Sequence, residues 1–340
     1  MRGGAGEFKD LALELFRLQF DHVPAYRRFC EFQAAHPRSI VNWTQIPAVP
    51  TSAFKDLELT SIAPGHRSAV FCSSGTTVQR PSRHFHHEQS LAVYELSLLT
   101  WASEHLPLEG ANLIFLTPDP KQAPHSSLVH MFAAIGRSSA VRRATFVGTV
   151  TPNGGWEVND NHTFALLKAC EAAAKPVGVL GTAFNFVHLI DALGELRFSL
   201  GPDSWMLETG GYKGRSRSMP RTELHSLLSA KFGVAPDRII TEYGMCELSS
   251  QAYDASLVHP RQNDRIFRFP PWARTLVVSP ETGREVRDGE IGLLRAYDLA
   301  NVYSVMAIET QDLARRAGAH FELIGRAETV EPRGCSLMTL

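Results

Sequence analysis

The sequence predicts an α/β fold: a doubly wound, mostly parallel sheet with helices, followed by a small antiparallel β subdomain. Short apolar runs typical of buried strands alternate with helical patterns through most of the chain, and this alternation indicates a parallel sheet. After Asp264, short β-rich runs follow one another between proline and glycine turns, as in an antiparallel sheet. We therefore expect a core at residues 1–265, a β-rich subdomain at 266–326 and a short tail at 327–340.

Each element has its own signal in the sequence. Apolar residues at helical spacing predict an amphipathic helix over residues 7–33, interrupted near Pro24. A second helical pattern runs over residues 88–104. The strand candidates are the short apolar runs at residues 69–72, 112–116, 145–149, 177–180, 205–208, 238–241, 275–278 and 291–296.

The composition excludes several classes of protein. The 340 residues are 44% hydrophobic, enough for a sizeable core, so a disordered chain is excluded. Lys and Arg number 34 against 35 Asp and Glu, which removes the broad basic footprint of a nucleic-acid binder. The five cysteines never form a CxxC pair, which argues against a disulfide framework and favours a reducing compartment. We find neither an apolar signal core nor an uninterrupted apolar run of the ~20 residues that span a bilayer, so we expect a cytoplasmic protein.

A hydroxyl-rich turn follows the predicted strand at residues 69–72. Its residues are Ser73, Ser74, Gly75, Thr76 and Thr77. Main-chain N–H groups and four hydroxyls at one chain reversal can surround phosphate oxygens, because glycine permits close backbone approach. The segment does not match the GxxxxGK[ST] loop, so an ordinary Ser/Thr-rich turn is the alternative.

The motif at residues 241–248 also follows a predicted strand. Tyr243 at the strand end can lie flat on a purine, and either Glu242 or Glu247 can be a Mg²⁺ ligand. The alternative is a core aromatic residue with solvated carboxylates.

A glycine pair with basic neighbours follows another predicted strand. Gly210 and Gly211 would let a flat ligand approach the backbone, while Lys213, Arg215 and Arg217 can face an anion. A turn with a solvated basic face is the alternative interpretation.

Two candidates lie near the end of the chain. Asp312 can accept two hydrogen bonds from ribose hydroxyls. Cys335 lies beside Gly334 and close to Arg333, so it is either an exposed, partly activated thiol or an inert tail cysteine. The histidines at residues 84–87 have no second ligand cluster at metal-site spacing, and the chain lacks the GxSxG elbow of serine hydrolases.

Taken in order, five motifs resemble the adenylate-forming superfamily of acyl and aryl ligases. The resemblance is closest to its acyl-protein synthetase branch, the fatty-acid-activating component of bacterial luminescence fatty acid reductase. The motifs are residues 46–50 with Phe54 and Lys55, then 73–77, 208–215, 242–251 and 333–337. The resemblance implies the large N-terminal-type domain of that superfamily, with the mobile C-terminal domain largely absent.

The resemblance also implies ATP and Mg²⁺ as cofactors and assigns positions to them. Ser73, Ser74, Gly75, Thr76 and Thr77 would hold the β- and γ-phosphates. Gly210 and Gly211 would line the adenine, on which Tyr243 would stack. Gly244, Met245 and Cys246 belong to the same nucleotide-binding set, Glu247 would bind Mg²⁺, and Asp312 would hold the ribose hydroxyls.

The implied chemistry is attack of a carboxylate on the α-phosphorus of ATP, which gives an acyl-adenylate and pyrophosphate, followed by acyl transfer to a thiol. The implied catalytic residues are Lys213, Arg326 and Cys335. Cys335 matches the near-terminal cysteine that takes the acyl group as a thioester before a reductase partner receives it. A carrier protein and coenzyme A are alternative acceptors.

Three departures from the superfamily pattern motivate another alternative, a nucleotide-binding protein of the same fold without turnover. Val78 stands where the phosphate loop usually has glycine, and Cys246 replaces the usual threonine. About 14 residues follow Arg326, and the catalytic lysine of the superfamily's small domain has no counterpart.

Overall fold

The computed structural model describes residues 5–73, 80–210, 219–259 and 265–327. The helices are α1 (Ala5–His22), α2 (Pro24–Phe32), α3 (Ala53–Asp56), α4 (Glu88–Ser103), α5 (Ser127–Arg137), α6 (Asp160–Ala172), α7 (Ala183–Leu193) and α8 (Arg221–Phe232). The strands are β1 (Val49–Pro50), β2 (Ala69–Cys72), β3 (Arg83–His86), β4 (Asn112–Phe115), β5 (Arg143–Phe146), β6 (Gly148–Val150), β7 (Trp156–Val158), β8 (Val177–Thr182), β9 (Trp205–Thr209), β10 (Ile239–Tyr243), β11 (Ala252–Tyr253), β12 (Ala273–Val278), β13 (Ile291–Asp298), β14 (Ala307–Ala317) and β15 (His320–Arg326). The predicted α/β fold class is confirmed.

A six-stranded sheet forms the α/β part, in the order β11-β10-β9-β8-β4-β5. All neighbouring pairs are parallel except β10 and β11. After β5 the chain returns across β4 to add β8, β9 and β10 on the other side, so the winding direction reverses between β4 and β8. In such sheets ligands bind outside the carboxyl ends of the strands. Tyr243 ends β10 at that edge, and Gly210 directly follows β9.

Both faces of this sheet are covered, as parallel sheets require. Ile114, Val179 and Met206 share an apolar core with α6, α7 and α8. Leu113 and Leu180 face the opposite way, into a core formed with α4 and α5. In the ranges that the structure describes, none of the helices is both long and apolar enough to cross a membrane.

The antiparallel sheet lies at the other end of the chain but recruits its beginning. Its order is β1-β14-β13-β12, with β15 also paired to β14. β1 joins in parallel, with Val49 opposite Ile308. Phe16 of α1 and Tyr26 of α2 share the core of this sheet with Tyr297. The N-terminal helices therefore stabilise the C-terminal sheet, while the division at residue 265 stays a prediction.

Two local features differ from the sequence prediction. The strand expected at residues 145–149 is two strands, because Val147 donates its N–H to Phe115 and the chain then leaves the parallel sheet at Gly148. A Cβ on Gly148 would lie 2.4 Å from the backbone of Thr117, so this departure needs glycine. β14 and β15 were not among the strand candidates, because charged residues such as Glu309 interrupt their apolar pattern.

Candidate active site

Tyr243 and Asp312 form the centre of the site, between the two sheets. The Tyr243 hydroxyl donates a hydrogen bond to Asp312 Oδ2 at 2.8 Å. The rings of Phe267, Phe269 and Phe321 meet the Tyr243 ring edge to face, with centroid distances of 6.0, 6.2 and 5.4 Å. Burial, together with the charge of Asp312, raises the pKa of Tyr243 well above its ordinary value. The hydroxyl is therefore a proton donor that holds the carboxylate in one orientation.

Arg326 lies beside the same carboxylate. It faces Asp312 across the β14–β15 ladder, and its Nε is 3.8 Å from Asp312 Oδ1. The Arg326 side chain is 76% exposed, whereas that of Asp312 is 20% exposed. The site thus offers a half-buried carboxylate and, next to it, a guanidinium reaching into solvent.

The turn after β10 carries the remaining motif residues. Gly244 is exposed, and a Cβ at this position would lie 2.4 Å from Glu242 Oε1, so only glycine fits without displacing that carboxyl group. Met245 is half-buried. Cys246 and Glu247 are both buried, and the Cys246 thiol donates to Glu247 Oε2 at 3.2 Å.

His84, on β3, holds this turn from the other side. Its Nδ1 lies 2.8 Å from the carbonyl oxygen of Cys246, and only a protonated Nδ1 can donate to a carbonyl. Burial lowers the pKa of His84 to about 4, against a smaller opposing effect of this hydrogen bond. The ring is therefore neutral at physiological pH and acts as an anchor.

The antiparallel sheet fixes the same turn through two buried side chains. Asp298 Oδ2 accepts the backbone N–H groups of Ser249 and Ser250 at 2.9 and 2.8 Å. Asn301 Nδ2 donates to the carbonyl oxygen of Glu247 at 2.8 Å. Burial raises the pKa of Asp298, while hydrogen bonds from Ser250 and neighbouring N–H groups oppose the shift. The relative position of the two sheets at the site is thus set by directional bonds.

Ser73 and Gly210 are the other described candidates. The Ser73 N–H donates to the carbonyl oxygen of Ser82 at 3.1 Å, and the Ser82 N–H donates back to Ser73 Oγ at 2.9 Å. A Cβ on Gly210 would meet no heavy atom of the described residues within 4 Å. The candidates outside the described residues are Ser74, Gly75, Thr76, Thr77, Gly211, Lys213, Arg215, Arg217 and Cys335.

The structure therefore brings residues 243–247 together with Asp312 and Arg326. It places Gly210 just after the end of the adjacent strand, β9. Ser73 directly follows β2 of the separate β2–β3 ladder, which reaches the site through His84. This donor set fits a nucleotide: a carboxylate for hydroxyls, a cation for phosphates and glycines that leave room. Within the described ranges no three His, Cys, Asp or Glu residues could jointly hold a metal ion. A single carboxylate at Glu247 still suits Mg²⁺, which proteins often hold through one or two carboxylates plus substrate phosphates.

Sequence reasoning missed His84, Asp298 and Asn301 as parts of the site. The sequence did contain a signal for His84: His84 and His86 alternate with Arg83 and Phe85, as the two faces of a strand do. Asp298 and Asn301 follow an apolar strand and resemble ordinary turn residues, so nothing in the local pattern indicated their bonds.

Two surface cavities lie away from the Tyr243–Asp312 pair. One is lined by residues of α4 and by Tyr253, Asp254, Arg265 and Arg268, and the other lies between α2 and Arg295. Neither cavity includes Tyr243, Asp312 or Glu247, so neither coincides with the site described above.

Solved structures of adenylate-forming enzymes share this fold. An open conformation of 2-hydroxyisobutyryl-CoA ligase in complex with 2-HIB-AMP and CoA matches with a TM-score of 0.63 and 15% identity, over 92% of this chain and 74% of the other. The same ligase in its postadenylation state with 2-HIB-AMP matches with a TM-score of 0.65 and 14% identity, over 95% of this chain and 68% of the other.

Curated relatives match over nearly the whole length. The long-chain-fatty-acid–luciferin-component ligase of Vibrio harveyi is 22% identical over 340 residues, which are 95% of this chain and 84% of that protein. The ligase of the same name from Aliivibrio fischeri is 22% identical over 349 residues, covering 97% and 87%. The family described as acyl-protein synthetase, LuxE, matches residues 6–339. The resemblance drawn from the five motifs is thereby confirmed, and the chain belongs to the LuxE acyl-protein synthetase family, whose named members are ligases.

Proposed function

We propose that this ligase activates a carboxylic acid with ATP as an acyl-adenylate and then transfers the acyl group to a thiol. The observation that carries the proposal is the Asp312 carboxylate, oriented by the Tyr243 hydroxyl at 2.8 Å and flanked by Arg326 at the edge of the parallel sheet. The names of the relatives support a fatty acid as substrate, and the adenylate complexes of the structural neighbours support ATP as the co-substrate.

The nucleotide would lie against the end of the β10 strand. The two oxygens of Asp312 would accept the ribose hydroxyls, since a carboxylate accepts several hydrogen bonds at once. The Tyr243 ring would meet the adenine, and Gly210 would let the base approach the backbone. Gly244, Met245 and Cys246 would border the α-phosphate. Arg326 would reach the phosphates, because its exposed guanidinium can turn away from Asp312.

In-line displacement at phosphorus depends on positioning and on neutralising charge rather than on covalent help from the protein. Bound Mg²⁺ would neutralise charge on the phosphate oxygens. Glu247 is the residue proposed to hold it, and the Cys246 thiol keeps that carboxylate in place. The hydroxyls of residues 73–77 and the Lys213 ammonium group are the proposed donors to the β- and γ-phosphates.

Cys335 is the proposed acyl acceptor. The described chain ends close to the site, because the Ala327 N–H donates to the carbonyl oxygen of Gln311, the neighbour of Asp312, at 2.9 Å. A reductase partner or a carrier protein would then take the acyl group, and coenzyme A is the alternative acceptor. A cytoplasmic location remains part of the proposal, since the four described cysteines form no disulfide.

ATP–pyrophosphate exchange with Mg²⁺ and a panel of fatty and aromatic acids tests this function. We expect exchange that depends on the acid, with or without an added thiol. A protein that binds ATP but supports no exchange with any acid would instead be a nucleotide-binding protein without turnover, the alternative that Val78 and Cys246 motivate.

A further inference from the structure

A second group of polar side chains lies on the other side of β10 from Tyr243. Successive residues of a strand point to opposite faces, so Glu242 faces away from Asp312. Its Oε1 lies directly beneath Gly244, 2.4 Å from where a Cβ would be, and Gln251 Cγ lies 3.6 Å from the same point. The group therefore begins immediately below the turn that borders the proposed reaction centre.

Residues from β3, α4 and β11, and Gln251 just before β11, complete this buried polar cluster, which we define as Glu242, Gln251, Tyr253, Tyr94 and His86. Tyr253 is the register partner of Glu242 on β11. The Tyr94 hydroxyl of α4 lies 3.5 Å from Gln251 Nε2. The His86 ring of β3 meets the Tyr94 ring edge to face at 6.1 Å.

Three atoms of the cluster are buried without a hydrogen-bond partner among the residues that the structure describes. They are His86 Nε2, Gln251 Oε1 and the Tyr253 hydroxyl. Their residues are 1%, 5% and 1% exposed. Buried polar groups in native proteins almost always have a hydrogen-bond partner, so these three atoms call for a partner that the described residues do not supply.

The cluster is polar but uncharged near neutral pH. Burial, reinforced by the charge of Glu208, raises the pKa of Glu242 to about 8, so its carboxyl group is mostly protonated. Burial and the neighbouring His84 lower the pKa of His86 to about 2, so its ring is neutral. Such a lining suits hydroxyl or carbonyl groups, and it would not attract an ion.

On this basis we propose that the acid carries a hydroxyl or carbonyl group within a few carbon atoms of its carboxyl group, and that the buried polar cluster recognises it. The inference rests on the proposed function, because the carboxylate must reach the α-phosphate beside Gly244. The next atoms of the acid then meet Glu242, Gln251 and Tyr253. A hydroxyl there would donate to Gln251 Oε1 and accept from Tyr253, whereas a plain methylene would leave both atoms unpaired.

Matched pairs of acids test the proposal. We would measure kcat/KM in ATP–pyrophosphate exchange for 3-hydroxytetradecanoate against tetradecanoate and for 2-hydroxybenzoate against benzoate. We expect the hydroxylated member of at least one pair to be favoured by about tenfold or more, because a site that hydrogen-bonds a hydroxyl discriminates against analogues lacking it. Equal or better use of the unsubstituted acid in both pairs overturns the inference but leaves the proposed function intact. Exchange with none of the acids overturns both.

Two variants assign the preference to the cluster. Tyr253→Phe and Gln251→Met each remove one unpaired polar atom while nearly keeping the volume of the side chain. We expect either change to bring the ratio of kcat/KM between the hydroxylated and the unsubstituted acid of the favoured pair close to one, without a change in the KM for ATP. Tyr297→Phe is the matched control, since Tyr297 is buried in the antiparallel sheet beside Trp43. An equal loss of kcat/KM for both acids of a pair would indicate a merely structural role of the substituted residue and would overturn the assignment to these residues.

Discussion

Asp312 is the residue on which the proposed nucleotide site most depends. Replacing it with alanine removes the proposed acceptor for the ribose hydroxyls and leaves the Tyr243 hydroxyl without its partner. Hydrogen bonds to charged groups contribute about 1.5–3 kcal/mol, so we expect the KM for ATP to rise by roughly 10- to 100-fold in Asp312→Ala. The measurement is ATP dependence of pyrophosphate exchange at saturating acid.

The control for that change is Asp203→Ala. Asp203 also pairs with an arginine, Arg238 at 2.7 Å, but its side chain is 76% exposed and lies away from the site. We expect its KM for ATP to match that of the wild-type protein. An unchanged KM in Asp312→Ala as well would remove Asp312 from the proposed site.

The raised pKa of Glu242 predicts how the stability of the protein depends on pH. Its pKa is raised from 4.5 to about 8, so the folded state binds this proton more tightly than the unfolded chain does. Stability contributed by this group is therefore complete below about pH 4.5 and is lost as the pH rises towards 8. Glu242→Gln cannot ionise, and relative to the wild type it should become more stable by a few kcal/mol, as an order of magnitude, between about pH 5.5 and about pH 8.5.

Urea unfolding at these two pH values measures the difference. Glu281→Gln, on the exposed turn after β12, is the control and should follow the wild-type pH dependence. Parallel pH dependence of Glu242→Gln and wild type would mean that Glu242 ionises in the folded protein as it does in the unfolded chain.

Among the strands and helices, Gly148 decides where the chain leaves the parallel sheet. An added Cβ would lie 2.4 Å from the carbonyl carbon of Thr117 and 2.7 Å from the nitrogen of Pro118, both backbone atoms that cannot turn aside. Overpacking of this kind costs about 1–3 kcal/mol, so Gly148→Ala should lower the free energy of unfolding by that amount. Gly65→Ala, where a Cβ would meet no described atom within 4 Å, should change it by less than about 0.5 kcal/mol. Equal stability of the two variants would contradict the close approach of β6 to Thr117.

The strands of the parallel sheet show which single elements can be predicted from the sequence. Strands that are buried on both faces form continuous apolar runs, and β8, β9 and β10 were predicted within two residues of their observed ends. The split between β5 and β6 was not predictable, because it depends on Thr117, about thirty residues earlier in the chain. β14 was not predicted because its side chains include Glu309, Asp312 and Arg315, which break the apolar pattern of a buried strand. It forms a strand because β13 and β15, on its two sides, bind its backbone groups.

In the molecule as a whole, the site exists because two sheets with separate cores meet. The motifs indicated Tyr243 and Asp312 one by one, but the bond between them joins residues 69 positions apart. No local pattern gives that distance. Asp298 and Asn301 supply the connection by binding the turn after β10, and Gln19 of α1 extends it by donating to the carbonyl oxygen of Asn301 at 2.7 Å. Long-range hydrogen bonds therefore set the geometry that the sequence left open.

The proposed acyl transfer also depends on the whole chain, because Cys335 must reach the adenylate. Ala327 lies beside the site, and eight residues further on, a fully extended chain reaches at most roughly 26–29 Å. The thiol sulfur would form a bond to the acyl carbon, the bond from that carbon to the AMP oxygen would break, and the thiol proton would pass to solvent. Cys335→Ser should therefore keep acid-dependent ATP–pyrophosphate exchange within about twofold and lose the covalent label left by a radioactive acid. Cys170→Ser, on α6 in the parallel-sheet part, should keep both. A label that survives in Cys335→Ser and is released by neutral hydroxylamine, as a thioester is, would place the acceptor on another cysteine of the chain.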